Sequence, residues 1–249
     1  MMEVNTDIIS SAALEKMANS RILFAHMSVG RNVLQGIREL QQADPRFEKI
    51  RITPYETGVD TSAPGLYHFL VGNNSFPEKK ISVCRKMLID GETGPGFNAF
   101  IFKYCYVDFK KETDVEAVFM DYLKLVEEIK SRYPDVKVVH VTVPLTVRYK
   151  GLKGWLKFHL FGDHPNEKRS MFNRRLKETF GDNDLIFDLA GIESTDRAGK
   201  ELKYMSKGQK VNYMAGEWTD DGGHLNMPAR KRAALKFMET LARLTENGG

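Results

Sequence analysis

"RILFAHMSVGRN" (residues 21–32) begins as an apolar run, ends it on His26, Met27 and Ser28, and passes through Gly30 into a stretch with helical character. Read as a strand feeding a helix through a tight turn, it sets Ser28 at a sheet edge beside the free N–H groups of the helix N-terminus. Two roles suit a serine there. It can be an N-cap, accepting from one of those N–H groups, or a nucleophile held at the edge of an α/β sheet.

Working outward, four further apolar runs predict strands at 50–55 ("IRITPY"), 99–107 ("AFIFKYCYV"), 136–143 ("VKVVHVTV") and 185–190 ("LIFDLA"). Several are apolar on both faces, as strands covered by helices on each side must be. Helical patterns lie between them. In 114–131 the residues Val115, Val118, Phe119, Tyr122, Val126 and Ile129 recur at helical spacing, and Pro134 blocks extension beyond. Residues 166–180 and 228–244 behave alike, the latter with Asn226 as N-cap and Pro228 in its first turn. The alternation predicts an α/β fold: a three-layer α/β/α sandwich with a mostly parallel, flavodoxin-like doubly wound sheet, and residues 1–249 as one domain. Two regions break the rhythm, 56–98, read as a loop-rich excursion around a helix near 79–90, and 191–220. Long loops of this kind commonly build a binding face.

Composition narrows the function classes. With 249 residues, 42% hydrophobic and 28% charged, the chain suits a globular α/β domain. No apolar run is long enough to span a membrane, and "MMEVNTDIISSAALEKMANS" lacks the basic and apolar parts of a signal peptide, so a cytoplasmic location without integral membrane association is expected. Cys84 and Cys105 have no metal-ligand or redox spacing. The net charge of +4 arises from 37 basic residues interspersed with 33 acids, which argues against a nucleic-acid surface. The densest basic stretch, "VRYKGLKGWLKFHL" (147–160), interleaves Arg148, Lys150, Lys153 and Lys157 with Trp155, Phe158 and Leu160. It has the chemistry to meet phosphates, an anionic membrane surface or an acidic glycan, and equally to form a solvated flap with its aromatics packed down.

Near the C-terminus, "WTDDGGHLNM" separates Asp221 from His224 by two glycines, directly before the last helix. Glycines let such a loop turn tightly enough for both side chains to share a side. A carboxylate on an imidazole fixes its tautomer and stabilises the imidazolium, as a base serving a serine requires. In a doubly wound sheet, loops following strands gather at the carboxyl edge, where Ser28 and His224 are both expected.

With "FAHMSVGRN" and "DGGHLN" in these positions the chain resembles the SGNH hydrolases, the GDSL-like lipases and esterases, as a divergent member. His-Met-Ser-Val-Gly stands where those proteins carry Gly-Asp-Ser-Leu; "VVHVTVPL" and "RSMFNRRLKETFGDNDLIFDLAG" follow the family's layout in order. The resemblance implies Ser28 as nucleophile, His224 as general base and then acid, and Asp221 orienting His224. It further implies an oxyanion hole from the Ser28 N–H, a glycine N–H after the second strand and an Asn side chain after the third. Gly58 and Gly72 are the glycine candidates, Gly72 being preferred because Asn73 and Asn74 follow it. The asparagine is where this chain departs from the family. In "FKYCYVDF" Cys105 falls at its place, and a thiol is a poor donor, leaving a Tyr hydroxyl, the Lys103 ammonium or Asn73 as substitutes.

The implied reaction is hydrolysis of an O-acyl or O-acetyl ester of a carbohydrate or small metabolite, with no cofactor. Two alternatives stay open: an O-acyltransferase using the same residues, or a glycan- or lipid-binding protein on the hydrolase scaffold without turnover. Among other polar residues, His26 lines the pocket, contacts substrate or satisfies a backbone group, and Arg31 and Asn32 either meet an anionic or sugar substrate or lie exposed on the helix. His140 reads as a hydrogen-bonded core histidine, and Asp163-His164 as a turn and cap. His26, Asp221 and His224 match zinc in ligand type, yet pairing with Ser28 accounts for them with fewer assumptions, so no metal site is expected.

Overall fold

The computed structural model describes residues 6–56, 59–90, 96–148 and 164–246. Six strands, β1 (Arg21–His26), β2 (Ile52–Pro54), β3 (Gly65–Leu70), β4 (Ala99–Phe102), β5 (Lys137–Val141) and β6 (Leu185–Phe187), form one sheet in the order β2-β3-β1-β4-β5-β6. Every pairing is parallel. Leaving β1, the chain builds β2 and β3 on one side and then crosses to β4 on the other, so β1 lies beside the point where the winding reverses. Crevices at such points, outside the carboxyl ends of the strands, are where open α/β sheets bind ligands.

Strand alternation sorts the core into two layers. Ile22, Phe24, Leu66, Ile101, Val139 and Val141 face α1 (Ser11–Ala18), α2 (Val29–Ala43) and, near the C-terminus, α7 (Met227–Glu246). On the opposite face Leu23, Ala25, Tyr67, Phe100, Phe102 and Val138 meet α3 (Pro77–Arg85), α4 (Val115–Arg132) and α5 (His164–Phe180). A six-residue helix, α6 (Leu189–Ser194), follows β6 with Asp188 as its cap. In α4 the buried residues Val115, Val118, Phe119, Tyr122, Val126 and Ile129 are those whose spacing predicts the helix, joined by Leu125. On the other face α2 and α7 are pinned by an Arg230–Glu39 ion pair of 2.7 Å. Asn226 accepts from the Ala229 N–H at 3.3 Å, as its predicted capping role requires.

The α/β/α sandwich expected from the sequence is observed, with four local differences. Residues 56–98, read as a loop excursion around one helix, contain β3, a central strand directly beside β1. Its residues Gly65–Leu70 are apolar at nearly every position, so the sequence shows no alternation to reveal a strand. The run at 99–107 is strand only as far as Phe102, and Tyr106–Asp108 turns into a 3-10 helix. The run at 185–190 likewise ends at Phe187. Residues 191–220 include the tail of α6 and an antiparallel hairpin, β7 (Lys203–Ser206) with β8 (Gln209–Asn212), which is too polar to signal itself by apolar periodicity. Of the basic stretch 147–160 only Val147 and Arg148 are described; the Arg148 guanidinium lies over the Tyr204 ring at 4.9 Å. Gly58 and Asp163 also lie outside the described residues. No described helix is long and apolar enough to cross a membrane.

His140 sits on β5 with no exposure, stacked on Phe180 at 3.8 Å, its Nδ1 2.7 Å from the Tyr122 hydroxyl and its Nε2 3.3 Å from Asp184. That is the core histidine its apolar surroundings predict.

Candidate active site

β1 delivers the chain to Ser28 at φ 48° and ψ −105°, a positive φ that L-residues avoid. Holding a serine there costs about 1–3 kcal/mol, a strain that surrounding contacts must sustain. The turn is closed by Gly30 N–H donating to the Met27 carbonyl at 3.0 Å and Arg31 N–H to the Ser28 carbonyl at 2.8 Å. Ser28 occupies the N-cap position of α2, but its side chain makes no capping bond. Instead Ser28 Oγ lies 2.6 Å from His224 Nε2, and His224 Nδ1 lies 2.6 Å from Asp221 Oδ2. Nearly two hundred residues separate the serine from this pair in sequence.

The loop that brings His224 to β1 is itself braced. Asp221 Oδ1 accepts the backbone N–H groups of Gly223 (2.9 Å) and His224 (2.8 Å). Burial pulls the Asp221 carboxyl upward, but those two bonds and the His224 ring outweigh it and hold the group below the usual carboxylate range. Trp218, fully buried, donates Nε1–H to the Thr195 carbonyl at 2.7 Å and anchors the loop's entry. Asn32, from the first turn of α2, accepts the Leu225 N–H at 3.2 Å and so ties the serine's helix to the histidine's loop. Asn32→Ala should therefore loosen His224 relative to Ser28 and lower any turnover that depends on their contact by about tenfold, without the loss of fold a core substitution brings. Kinetics with p-nitrophenyl acetate beside a thermal melt would check this. Tyr106 packs edge-on against His224, ring centroids 5.7 Å apart, and Arg169 donates to the Tyr106 carbonyl at 2.9 Å. A Cβ at Gly223 would come within 2.8 Å of the Tyr106 ring, so only glycine lets the loop pass so close.

The remaining sequence-predicted residues divide between the surface and the interior. Gly72 follows β3 at the same carboxyl edge with φ +77°, a conformation that favours glycine, and Asn73 beside it is exposed. Arg31 is exposed in the first turn of α2. Cys105 is buried, and its N–H donates to Asp108 Oδ2 at 2.7 Å. Tyr104 is buried in the aromatic layer among Phe102, Phe109 and Phe172. Lys103 extends β4's pairing by one bond, its N–H donating to the Ala25 carbonyl at 3.0 Å. The Lys103 side chain is wholly buried, its Nζ has no partner among the described residues, and burial lowers its pKa. His26 is fully buried too, with Nε2 3.2 Å from His68 Nδ1. Burial, then His68, Lys103 and Arg31, push the His26 pKa down to about 2, so the ring stays neutral. His26 belongs to the interior beneath the turn and turns toward His68.

Glu193 on α6 is buried, accepts the Leu145 N–H at 2.6 Å, and is raised by burial to about 8, against smaller lowering by that bond, Lys103 and Arg169. That lies above the ordinary glutamate value of 4.5, so between the two the folded chain holds a proton that the unfolded chain has released. Stability therefore falls as pH rises from about 4.5 to about 8. Glu193→Gln, which keeps the acceptor and removes the titration, should gain several degrees in Tm over the unmodified chain above that window and little below it.

No family model matches the sequence, and no curated protein does either. Solved structures do. One from Bacteroides fragilis, provisionally assigned as an acylhydrolase, superposes at TM-score 0.57 with 13% identity over 98% of this chain and 100% of that one. Another, from Parabacteroides merdae and provisionally assigned as a GDSL-like lipase, gives 0.54 and 17% over 90% and 95%. The chain has the fold of the GDSL-like, or SGNH, hydrolases. An acetyl xylan esterase is similar at TM-score 0.50 and 14% identity, over 88% of this chain and 98% of that one. In this chain Ser28 stands in the loop after the first strand and His224 in the loop before the last helix, with Gly72 in the loop after β3 and Cys105 and Tyr106 in the loop after β4.

Proposed function

We propose that the chain is a serine esterase that hydrolyses an O-acyl ester, with an O-acetyl group on a carbohydrate or small metabolite as the substrate class. The reading rests on one observation above all: a strained serine that forgoes its helix cap to meet an imidazole at 2.6 Å, itself 2.6 Å from a carboxylate. In this reaction Ser28 Oγ attacks the acyl carbonyl while His224 Nε2 takes its proton. Asp221 holds the Nδ1–H and stabilises the imidazolium. The oxyanion receives the Ser28 and Gly72 N–H groups, with the Asn73 amide as third donor in place of the family's asparagine. His224 then returns the proton to the leaving alcohol, and water repeats the sequence on the acyl-enzyme.

Side-chain exposures of 43% for His224 and 55% for Asp221 describe an open site that admits water, which favours hydrolysis over acyl transfer and accommodates an alcohol too large to be enclosed. The structural likeness to an acetyl xylan esterase is in keeping with a carbohydrate ester. A fluorophosphonate probe tests the assignment: mass spectrometry should find the adduct on Ser28 and should find none in His224→Ala. A chain that stays unlabelled while binding a glycan or lipid would instead be a binding protein on the hydrolase scaffold.

A further inference from the structure

The loops flanking Ser28 come from the two strands that flank β1. One follows β3 and carries Gly72 and Asn73; the other follows β4 and carries Cys105 and Tyr106. They are joined directly through one buried carboxylate. Asp108 Oδ2 accepts the Cys105 N–H at 2.7 Å from its own loop, and Asp108 Oδ1 accepts the Ser75 N–H at 2.9 Å from the other. Lys80, on α3, donates to Asp108 Oδ2 at 2.6 Å and to Asn74 Oδ1 at 3.2 Å. Both Lys80 and Asp108 side chains have no solvent exposure. Ser75 reaches this bond only by adopting φ +71°, a second strained serine at the same edge.

A buried ion pair is a poor device for stability alone, because desolvation offsets most of its attraction and apolar residues of similar volume often serve as well. What an apolar pair cannot supply is directed acceptors for two backbone N–H groups on two different loops. We propose that the Lys80–Asp108 pair is a positioning clamp that fixes the Gly72–Asn73 loop against the Cys105–Tyr106 turn across the end of β1, so that the oxyanion donors keep their distance from Ser28. The proposal rests on the esterase reading of Ser28. Lys80 and Asp108 touch no reacting atom; they act through the N–H groups of Ser75 and Cys105 and through the Asn74 amide. The clamp also accounts for a chain without the family's asparagine: with Cys105 committed to Asp108, donor geometry depends on the loop after β3 being held.

The test compares three forms with the unmodified chain: Asp108→Asn, the double variant Lys80→Met with Asp108→Leu, and Asn74→Ala. Asp108→Asn sets an amide donor against N–H groups. The double variant keeps volume without charge. Asn74 is exposed, so its replacement tests the clamp even where the buried variants fail to fold. For p-nitrophenyl acetate, kcat should fall about 100-fold in the first two and about fivefold in Asn74→Ala, with KM within about threefold throughout. Fluorophosphonate labelling of Ser28 should slow in parallel. Wild-type kcat in variants that keep their Tm would overturn the clamp. An unmodified chain that fluorophosphonate does not label at Ser28 would overturn the esterase reading, a result separate from any variant.

Discussion

Ser28→Ala should lower kcat for p-nitrophenyl acetate by about 10⁴-fold, His224→Ala by a similar factor, and the two together by no more than either alone. The non-additivity follows from the 2.6 Å contact between Ser28 Oγ and His224 Nε2. Without the hydroxyl the base has no proton to take, and without the base the hydroxyl is a weak nucleophile, so the second substitution removes nothing further. Stability should respond differently. Because Ser28 makes no capping bond to α2, removing its hydroxyl leaves no helix N–H newly unpaired, and Ser28→Ala should keep Tm within about 2 °C. A serine acting only as a cap gives the opposite pattern, an altered Tm with unaltered kinetics. Equal rates in all four proteins would identify a scaffold that binds without turnover.

How far the sequence reveals this arrangement depends on the range over which each feature acts. The strand-turn-helix at 21–32 and the Asp221-to-His224 spacing are local, and both are legible. Their meeting across 196 residues follows from topology: a parallel sheet gathers its post-strand loops at one edge. β3 is hidden because a short run that is apolar at nearly every position has no periodicity to display. Asn32 reads equally well as a ligand contact or an exposed helix residue, and only its acceptance of the Leu225 N–H decides between them. Lys80, Asp108 and Ser75 are invisible for a stronger reason. Lys80 in the helix read near 79–90 and Asp108 just past the apolar run 99–107 each read as a solvated charge, and nothing in their spacing announces that three elements bury them together. Cys105 is the intermediate case. Its departure from the family is plain in "FKYCYVDF", while the use of its N–H appears only with the partner in place.

Asp221→Asn should cost about 10³-fold or more in kcat, and more than Asp221→Ala does. Asp221 does two things with two oxygens. Oδ1 holds the loop by accepting the Gly223 and His224 N–H groups, and Oδ2 faces His224 Nδ1. In the asparagine variant the carbonyl oxygen can retain the first function, so the loop and Tm should survive. Its amide nitrogen then confronts Nδ1 with a donor and drives the imidazole to the tautomer protonated at Nε2, which cannot take the proton of Ser28. Alanine imposes no such tautomer. At a side chain 55% exposed, water can enter as the missing acceptor and leave Nε2 free, so Asp221→Ala should retain more kcat while losing Tm through the two orphaned N–H groups. Crossed outcomes are thus expected, with asparagine worse for catalysis and alanine worse for stability. If asparagine proves at least as active as alanine, Asp221 serves the loop alone and the imidazole finds its orientation from Tyr106 and Ser28.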